Sequence, residues 1–280
     1  MVLADMVDCH IHMVLDGYHW KTAIERHSSA PLEALCRQQL EQYRGYTYLR
    51  DGGDRWGVGA LARTLAPEYG IIYKTPLAPL SMKGHYGGFI GLQYTNLKEY
   101  AQLVVRQRQQ GADFIKIMIS GLMDFDHFGV LTEPGLDQKT IEQLIHIAHE
   151  EGMSVMAHAN GADTVRFAAE AGVDSVEHGA YLDEAALYAM KEAGTVWVPT
   201  LSTIGNLLGK GRFNEKAVQQ ILDSALENLE YFHKLGGLVA PGSDAGAWSV
   251  PHGAAREQQL LALAGITDTT AAEKQIIEKF

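Results

Sequence analysis

The chain has 280 residues, 46% of them hydrophobic and 20% charged, and carries a formal net charge of −11 at pH 7. Such acidity argues against a nucleic-acid partner, and no run of about 18 apolar residues offers a membrane span. The two cysteines, Cys9 and Cys36, read as reduced thiols, and Met1–Asp8 lacks the basic stretch of a leader, so a cytoplasmic protein is expected.

The first strand is predicted over Met6–Met13 and contains Asp8-Cys9-His10-Ile11-His12. Alternation sets His10 and His12 on one face, with Cys9 and Ile11 on the other. Two imidazoles so placed can share a metal ion, although two of 12 histidines also fall together by chance. Beyond them, Asp16–Ser29 is expected to shape a pocket. A helix follows over Ala30–Tyr43, then a strand over Thr47–Asp51 that ends in Arg50-Asp51-Gly52-Gly53. There Arg50 either binds a carboxylate or pairs with Asp51.

Helix Val58–Leu65 leads into strand Ile71–Leu77 and the glycine-rich loop Lys83-Gly84-His85-Tyr86-Gly87-Gly88, whose histidine faces either substrate or solvent. Helix Leu97–Gln110 precedes strand Phe114–Ile119, where Lys116 interrupts an apolar run. Parity places Phe114, Lys116 and Met118 on the face away from the helices. A bare ammonium there costs several kcal/mol, so the amine is expected to pair with an acid such as Asp244 or to be neutral. A neutral amine can take up carbon dioxide and become a carbamate that bridges two metals.

The rhythm repeats in helix Gln138–Glu151, strand Ser154–His158, helix Ala162–Ala171, strand Ser175–His178, helix Asp183–Ala193 and strand Val196–Thr200. The loop Leu201–Phe213, with glycines at 205, 209 and 211, is expected to be mobile. Helix Glu215–Leu235, strand Leu238–Gly242 and helix Gly253–Ala264 complete the series. Glycines 111, 152, 172, 194 and 236 stand where helix C-caps belong. Eight βα units without a linker predict one domain over 1–280, a (β/α)8 barrel with its working groups at the strand tips. Those tips carry His10, His12, Lys116, His158, His178 and, after Pro241-Gly242-Ser243, Asp244.

This set resembles the amidohydrolase superfamily, in particular its imidazolonepropionase-like and prolidase-like branch. The likeness extends to Gly111-Ala112-Asp113-Phe114-Ile115-Lys116-Ile117-Met118, Val176-Glu177-His178-Gly179 and Gly242-Ser243-Asp244-Ala245-Gly246. The resemblance implies a zinc-dependent hydrolase with two Zn2+ ions per chain. His10, His12 and Asp244 would hold one ion, His158 and His178 the other, and N6-carboxylated Lys116 would bridge both. It implies cleavage of a C–N bond, in a short peptide or cyclic amide, by a hydroxide between the metals. Asp244 would act as general acid and base.

The small β-sandwich usual in relatives is expected to be mostly or wholly missing, since few residues precede His10, and the Pro-Gly turn common before strand one is replaced by Leu3-Ala4-Asp5-Met6. A homo-oligomer would cover a face so exposed. His85, Tyr181 and His252 are candidate substrate contacts, with loop or packing roles as the alternative. His146 and His149 flank the apolar stripe of their helix and are expected to be solvated. A mononuclear deaminase, a lactone or phosphotriester hydrolase and a catalytically silent barrel are the competing functions. The deaminase is disfavoured because Gly161 and Tyr181 stand three residues after His158 and His178, where a glutamate would be needed.

Overall fold

Nine short strands pair in parallel in a computed structural model that describes residues 6–26 and 32–280. Met1–Asp5 and His27–Pro31, which include the start of the expected Ala30–Tyr43 helix and the end of the Asp16–Ser29 loop, lie outside the described residues.

In chain order the strands are β1 Met6–Ile11, β2 Tyr46–Asp51, β3 Ile72–Lys74, β4 Leu80–Met82, β5 Leu92–Tyr94, β6 Ile115–Met118, β7 Val155–Ala159, β8 Ser175–His178 and β9 Val196–Val198. They form two ladders, β1-β2-β3 and β5-β4-β6-β7-β8-β9. The segment 238–245 links them. Parallel bridges Trp197↔Val239 and Ile11↔Ala245 flank it, and Cys9 and Asp244 N–H groups donate to the Pro241 and His10 carbonyls. On the far side the Asp113 N–H donates to the Thr75 carbonyl at 3.0 Å, tying the end of β3 to the foot of β6. Taking β3 and β4 as halves of one broken stave, and 238–245 as the last, the wall is the expected eight-stave (β/α)8 barrel. Every named strand belongs to it or, as β5 does, flanks it.

The helices match the predicted rhythm: α1 Trp20–Arg26, α2 Leu32–Leu40, α3 Val58–Leu65, α4 Leu97–Gln109, α5 Gln138–Glu150, α6 Ala162–Glu170, α7 Glu184–Ala193, the single turn α8 Ser202–Gly205, α9 Glu215–Lys234, α10 Arg256–Leu263 and α11 Thr270–Lys279. Asn96, Asp137, Asp183 and Asn214 cap α4, α5, α7 and α9 through side-chain oxygens. The glycines at 111, 152, 172, 194 and 236 all have positive φ, the conformation a helix exit asks of them.

Two expectations need correction. Strand Ile71–Leu77 stops at Lys74 because Pro76 and Pro79 lack an N–H and Leu77 sits at φ 65°; the wall resumes at β4. Cys9 and Ile11 do not share a face either. The β1 register shifts between Asp8 and Ile11, so Cys9 packs with Phe114 and Met156 while Ile11 joins the cluster of Leu40 and Ala62. β6 keeps strict alternation. Ile115, Ile117 and Ile119 pack with Leu144 and Ile145 of α5, while Phe114 joins Cys9 and Tyr48 inside. That inner cluster is closed from beneath by Ala272 and Ile276 of α11 and by Phe280, which follows it. No helix of the described residues is long and apolar enough to cross a membrane.

Candidate metal centre

His10, at the tip of β1, is wholly buried and held on both sides. Its Nδ1 lies 2.7 Å from Glu177 Oε2, which directs Nε2 toward the Lys116 Nζ and the His12 Nε2, each 3.3 Å away. Asp8 fixes the neighbouring stave by accepting from the Ser243 N–H at 2.9 Å and its hydroxyl at 2.6 Å. That clasp sets Asp244 beside β1, with Oδ1 3.3 Å from His12 Nε2 and 3.6 Å from His10 Nε2.

The remaining histidines follow one scheme. His158 has Nε2 3.1 Å from the Gly121 carbonyl, which leaves Nδ1 uncommitted. His178 places Nδ1 2.7 Å from Thr200 Oγ1, leaving Nε2. Their rings lie 4.5 Å apart, and the His178 ring is 5.2 Å from that of His10. An outer partner that occupies one imidazole nitrogen sets the tautomer and aims the other, as a metal-ligating histidine requires. His12 departs from the pattern: its Nδ1 is buried without a partner. Gly52 lies against this ring, and a Cβ there would collide with it.

Backbone strain gathers at the same place. His178, Thr200 and Asp244 all have positive φ, at 70°, 50° and 58°. For a β-branched threonine in particular this is unfavourable, and such outliers persist where the surrounding structure over-determines them.

Burial, reinforced by the Lys116 charge, pushes the imidazoles of His12 and His158 down to about 3; those of His10 and His178 also fall well below the usual value, mainly through burial. Burial likewise pushes the Lys116 amine down and the Asp244 carboxyl up. Neutral imidazoles with an aimed lone pair are what a cation binds. His10, His178 and Asp244 offer ligand atoms within 4.8 Å of one another, and Asp244 Oδ1 is buried with no hydrogen-bond donor. The donor set therefore fits a divalent cation. The trio takes one histidine from each of the two expected pairs, and His12 adjoins it through Asp244.

The other candidates fare differently. His252 is committed elsewhere, with Nδ1 2.8 Å from the Tyr43 hydroxyl and Nε2 2.9 Å from the Leu15 carbonyl, so it braces the loop after β1. Tyr181, at φ 60°, sets its ring edge-on to Phe128. His85 is part-exposed, 3.8 Å from Glu133 Oε1, while the ring of its neighbour Tyr86 lies tilted against His158 at 4.8 Å. His146 pairs with Glu150; His149 is not simply solvated, since it meets Asp174 at 2.9 Å.

Sequence reasoning missed Glu177; of the two readings of Arg50 the first holds, since it binds a carboxylate, that of Glu177, and does not pair with Asp51. Its Nη2 donates to Glu177 Oε1 at 2.9 Å and its Nε to the Cys9 carbonyl at 2.7 Å. An acid next to His178 and a basic residue inside strand two were the signals available.

A family model of the amidohydrolases matches residues 1–251. The chain belongs to the amidohydrolase family. The ochratoxinase of Aspergillus niger is 28% identical over 289 residues, covering 87% of this chain. The chain spans 58% of that relative's length. Among solved structures, a Xaa-Pro dipeptidase with methionine bound in its active site superposes with a TM-score of 0.77 at 22% identity, over 98% of this chain and 75% of that one. The A. niger ochratoxinase does so at 0.73 and 23%, over 97% and 68%. At such identities the likeness shows the fold.

Proposed function

We propose that this amidohydrolase cleaves the C–N bond of an amide, in a short peptide or a related small molecule, at a divalent-metal centre built by His10, His12, Lys116, His158, His178 and Asp244. The observation that carries the reading is the convergence of four imidazoles, three of them with outer partners, and one donor-free carboxylate on one end of the barrel. Amide hydrolysis is also the kind of reaction that the name of the dipeptidase of the same fold denotes.

His10, His12 and Asp244 would hold one cation, and His158 with His178 a second, with Lys116 between them as a carbamate. Zinc is the ion we expect. Bound divalent cations lower the pKa of water and polarise a carbonyl oxygen. Asp244 faces the space between the imidazoles, takes the proton of the attacking water and hands it to the leaving nitrogen, so that an amine departs and a carboxylate remains. Glu177 and Thr200 hold their histidines in orientation, and Tyr86 shields the His158 ring from bulk water.

Elemental analysis of the purified protein, together with a screen of dipeptides and N-acyl amino acids, tests this. Near two divalent ions per chain and amide turnover that chelation abolishes are expected. A metal-replete preparation that binds no ion, or that cleaves no amide, would refute it.

A further inference from the structure

Glu257, in the first turn of α10, is 1% exposed and is not one of the groups gathered at the strand tips. A buried carboxylate is costly unless hydrogen bonds satisfy its oxygens. Here both are satisfied. Oε1 accepts from the Leu201 N–H at 2.8 Å, and Oε2 from the Ser202 N–H and the Ser202 hydroxyl, each at 2.7 Å. These donors stand at the start of α8, the single turn that follows β9, so a side chain from beyond the last stave pins the root of the 201–213 loop.

The pinned residues come directly after Thr200. Thr200 is fully buried at φ 50°, and a β-branched residue keeps that conformation only where its surroundings impose it. The constraint is visible on its C-terminal side. Glu257 fixes the next two amides, while the Thr200 carbonyl accepts from the Thr203 N–H at 3.0 Å and from the Thr203 hydroxyl at 2.8 Å. What this backbone delivers is Oγ1, 2.7 Å from His178 Nδ1. The main chain of His178 is held by β9 as well, since Trp197 Nε1 donates to its carbonyl at 2.9 Å.

The structure assigns Glu257 a positioning role: through the Leu201 and Ser202 amides it keeps Thr200 in the left-handed region, and Thr200 keeps the His178 ring in the tautomer and direction that leave Nε2 for a cation. Without this carboxylate three buried donors lose their acceptor, and the turn can satisfy them only by moving. Thr200 then relaxes toward negative φ and takes Oγ1 away from Nδ1, which frees the ring to turn. The same loop runs on to Arg212 and Phe213, which with Trp20, Phe125 and Trp248 line a cavity of about 390 Å3 over the histidines. Glu257 fastens the part of the loop that serves His178 before the part that lines the cavity begins.

The assignment rests on the metal-centre reading and deepens it. Histidine-selective 15N NMR of the metal-free protein, and competition for zinc against a chromophoric chelator, are compared in the wild type, Glu257→Gln, Glu257→Asp and Leu261→Ala. The last removes buried packing from α10 and none of these hydrogen bonds. In the wild type His178 is expected as the Nδ1–H tautomer with a hydrogen-bonded ring proton. Glu257→Gln sets an NH2 donor against backbone donors; it should lose that proton signal and weaken one zinc ion about tenfold, leaving the other at its wild-type affinity. Glu257→Asp should keep part of both. Leu261→Ala should lower the melting temperature and leave both readings as they are. Unchanged His178 signals in Glu257→Gln, or an equal change in Leu261→Ala, overturns the assignment. Should Glu257→Gln not fold, Ser202→Ala removes the hydroxyl arm alone and should shift both readings the same way by less; wild-type readings there overturn the assignment too. A wild-type protein that takes up no zinc overturns the metal-centre reading, and the His178 signals still decide what Glu257 does.

Discussion

His10 Nδ1 and Glu177 Oε2 meet at 2.7 Å with both side chains fully buried, so an acid one residue before His178 steers a histidine 167 residues earlier in the sequence. Glu177 is itself gripped by Arg50 and by the Ser175 hydroxyl at 2.6 Å. Glu177→Gln weakens that grip and can present a donor where Nδ1–H also donates. We expect divalent-metal affinity to fall roughly 10–100-fold. Competition with a chromophoric chelator measures it, and wild-type affinity would show that His10 needs no carboxylate to orient it. Removing the acid from Arg50 should also cost stability, on the order of 3–5 kcal/mol for a broken buried pair, read from denaturant melts.

Lys116 lies among histidines with its Nζ 3.3 Å from His10 Nε2. Lys116→Ala is expected to lose bound metal and turnover, and short-chain carboxylic acids added at millimolar levels should restore part of both, since they can bridge where a carbamate would. Metal content by mass spectrometry and turnover with and without propionate check this. Full activity in the unsupplemented variant would remove Lys116 from the centre.

Asp244→Asn preserves the size of the side chain and removes its proton-accepting role. Turnover should fall about 100-fold or more while the melting temperature stays close to wild type. An unchanged kcat would take Asp244 out of the proton transfers.

Asp174 joins the underside of the barrel to α11. It accepts from the Val155 N–H at 2.8 Å and meets Lys279 Nζ at 2.7 Å and His149 Nε2 at 2.9 Å. Burial pushes its carboxyl up, but the bonds from His149, Lys279 and Val155 outweigh it and leave the group below the usual range. A depressed carboxyl stabilises the fold above its unfolded value, about pH 4, and that contribution is lost as pH falls through the lower native value. Both side-chain partners are more than a third exposed, so the contribution is discounted to about 1–2 kcal/mol. Asp174→Asn should be less stable by that amount at neutral pH and show a flatter acid limb in melts between about pH 5 and 2. Parallel pH curves for the two proteins would refute the linkage.

Much of the barrel was legible because strand and helix periods differ and helices announce their ends. Asp137 and Asp183 cap, Gly152 and Gly194 exit, and Lys116 stands out in an isoleucine run where alternation has a single outcome. The breaks were not legible. β4 and β5 are three residues each, too short to show a period, and they sit among Pro79, Gly87, Gly88 and Gly91. The register shift in β1 separates Cys9 from Ile11 through pairing with β2, which no local pattern encodes. The strand tips that carry His10, Lys116, His158 and Asp244 could be listed from sequence, but their outer partners could not. Thr200, Gly121 and Glu177 act through approach in space, and two of these bonds use groups with no chemical signature: a backbone carbonyl and a threonine hydroxyl.

The groups we expect to hold cations stand on the barrel's own staves, whereas Trp20, Phe125, Arg212, Phe213 and Trp248 stand on the connections above them. His178 and Asp244 belong to the first set and also line the cavity that the second encloses. Diversity confined to those connections would redirect what is admitted while leaving the bond-breaking apparatus as it is. A protein so divided can change its diet without relearning its chemistry, and a library of rim variants selected for new growth substrates would draw on that independence.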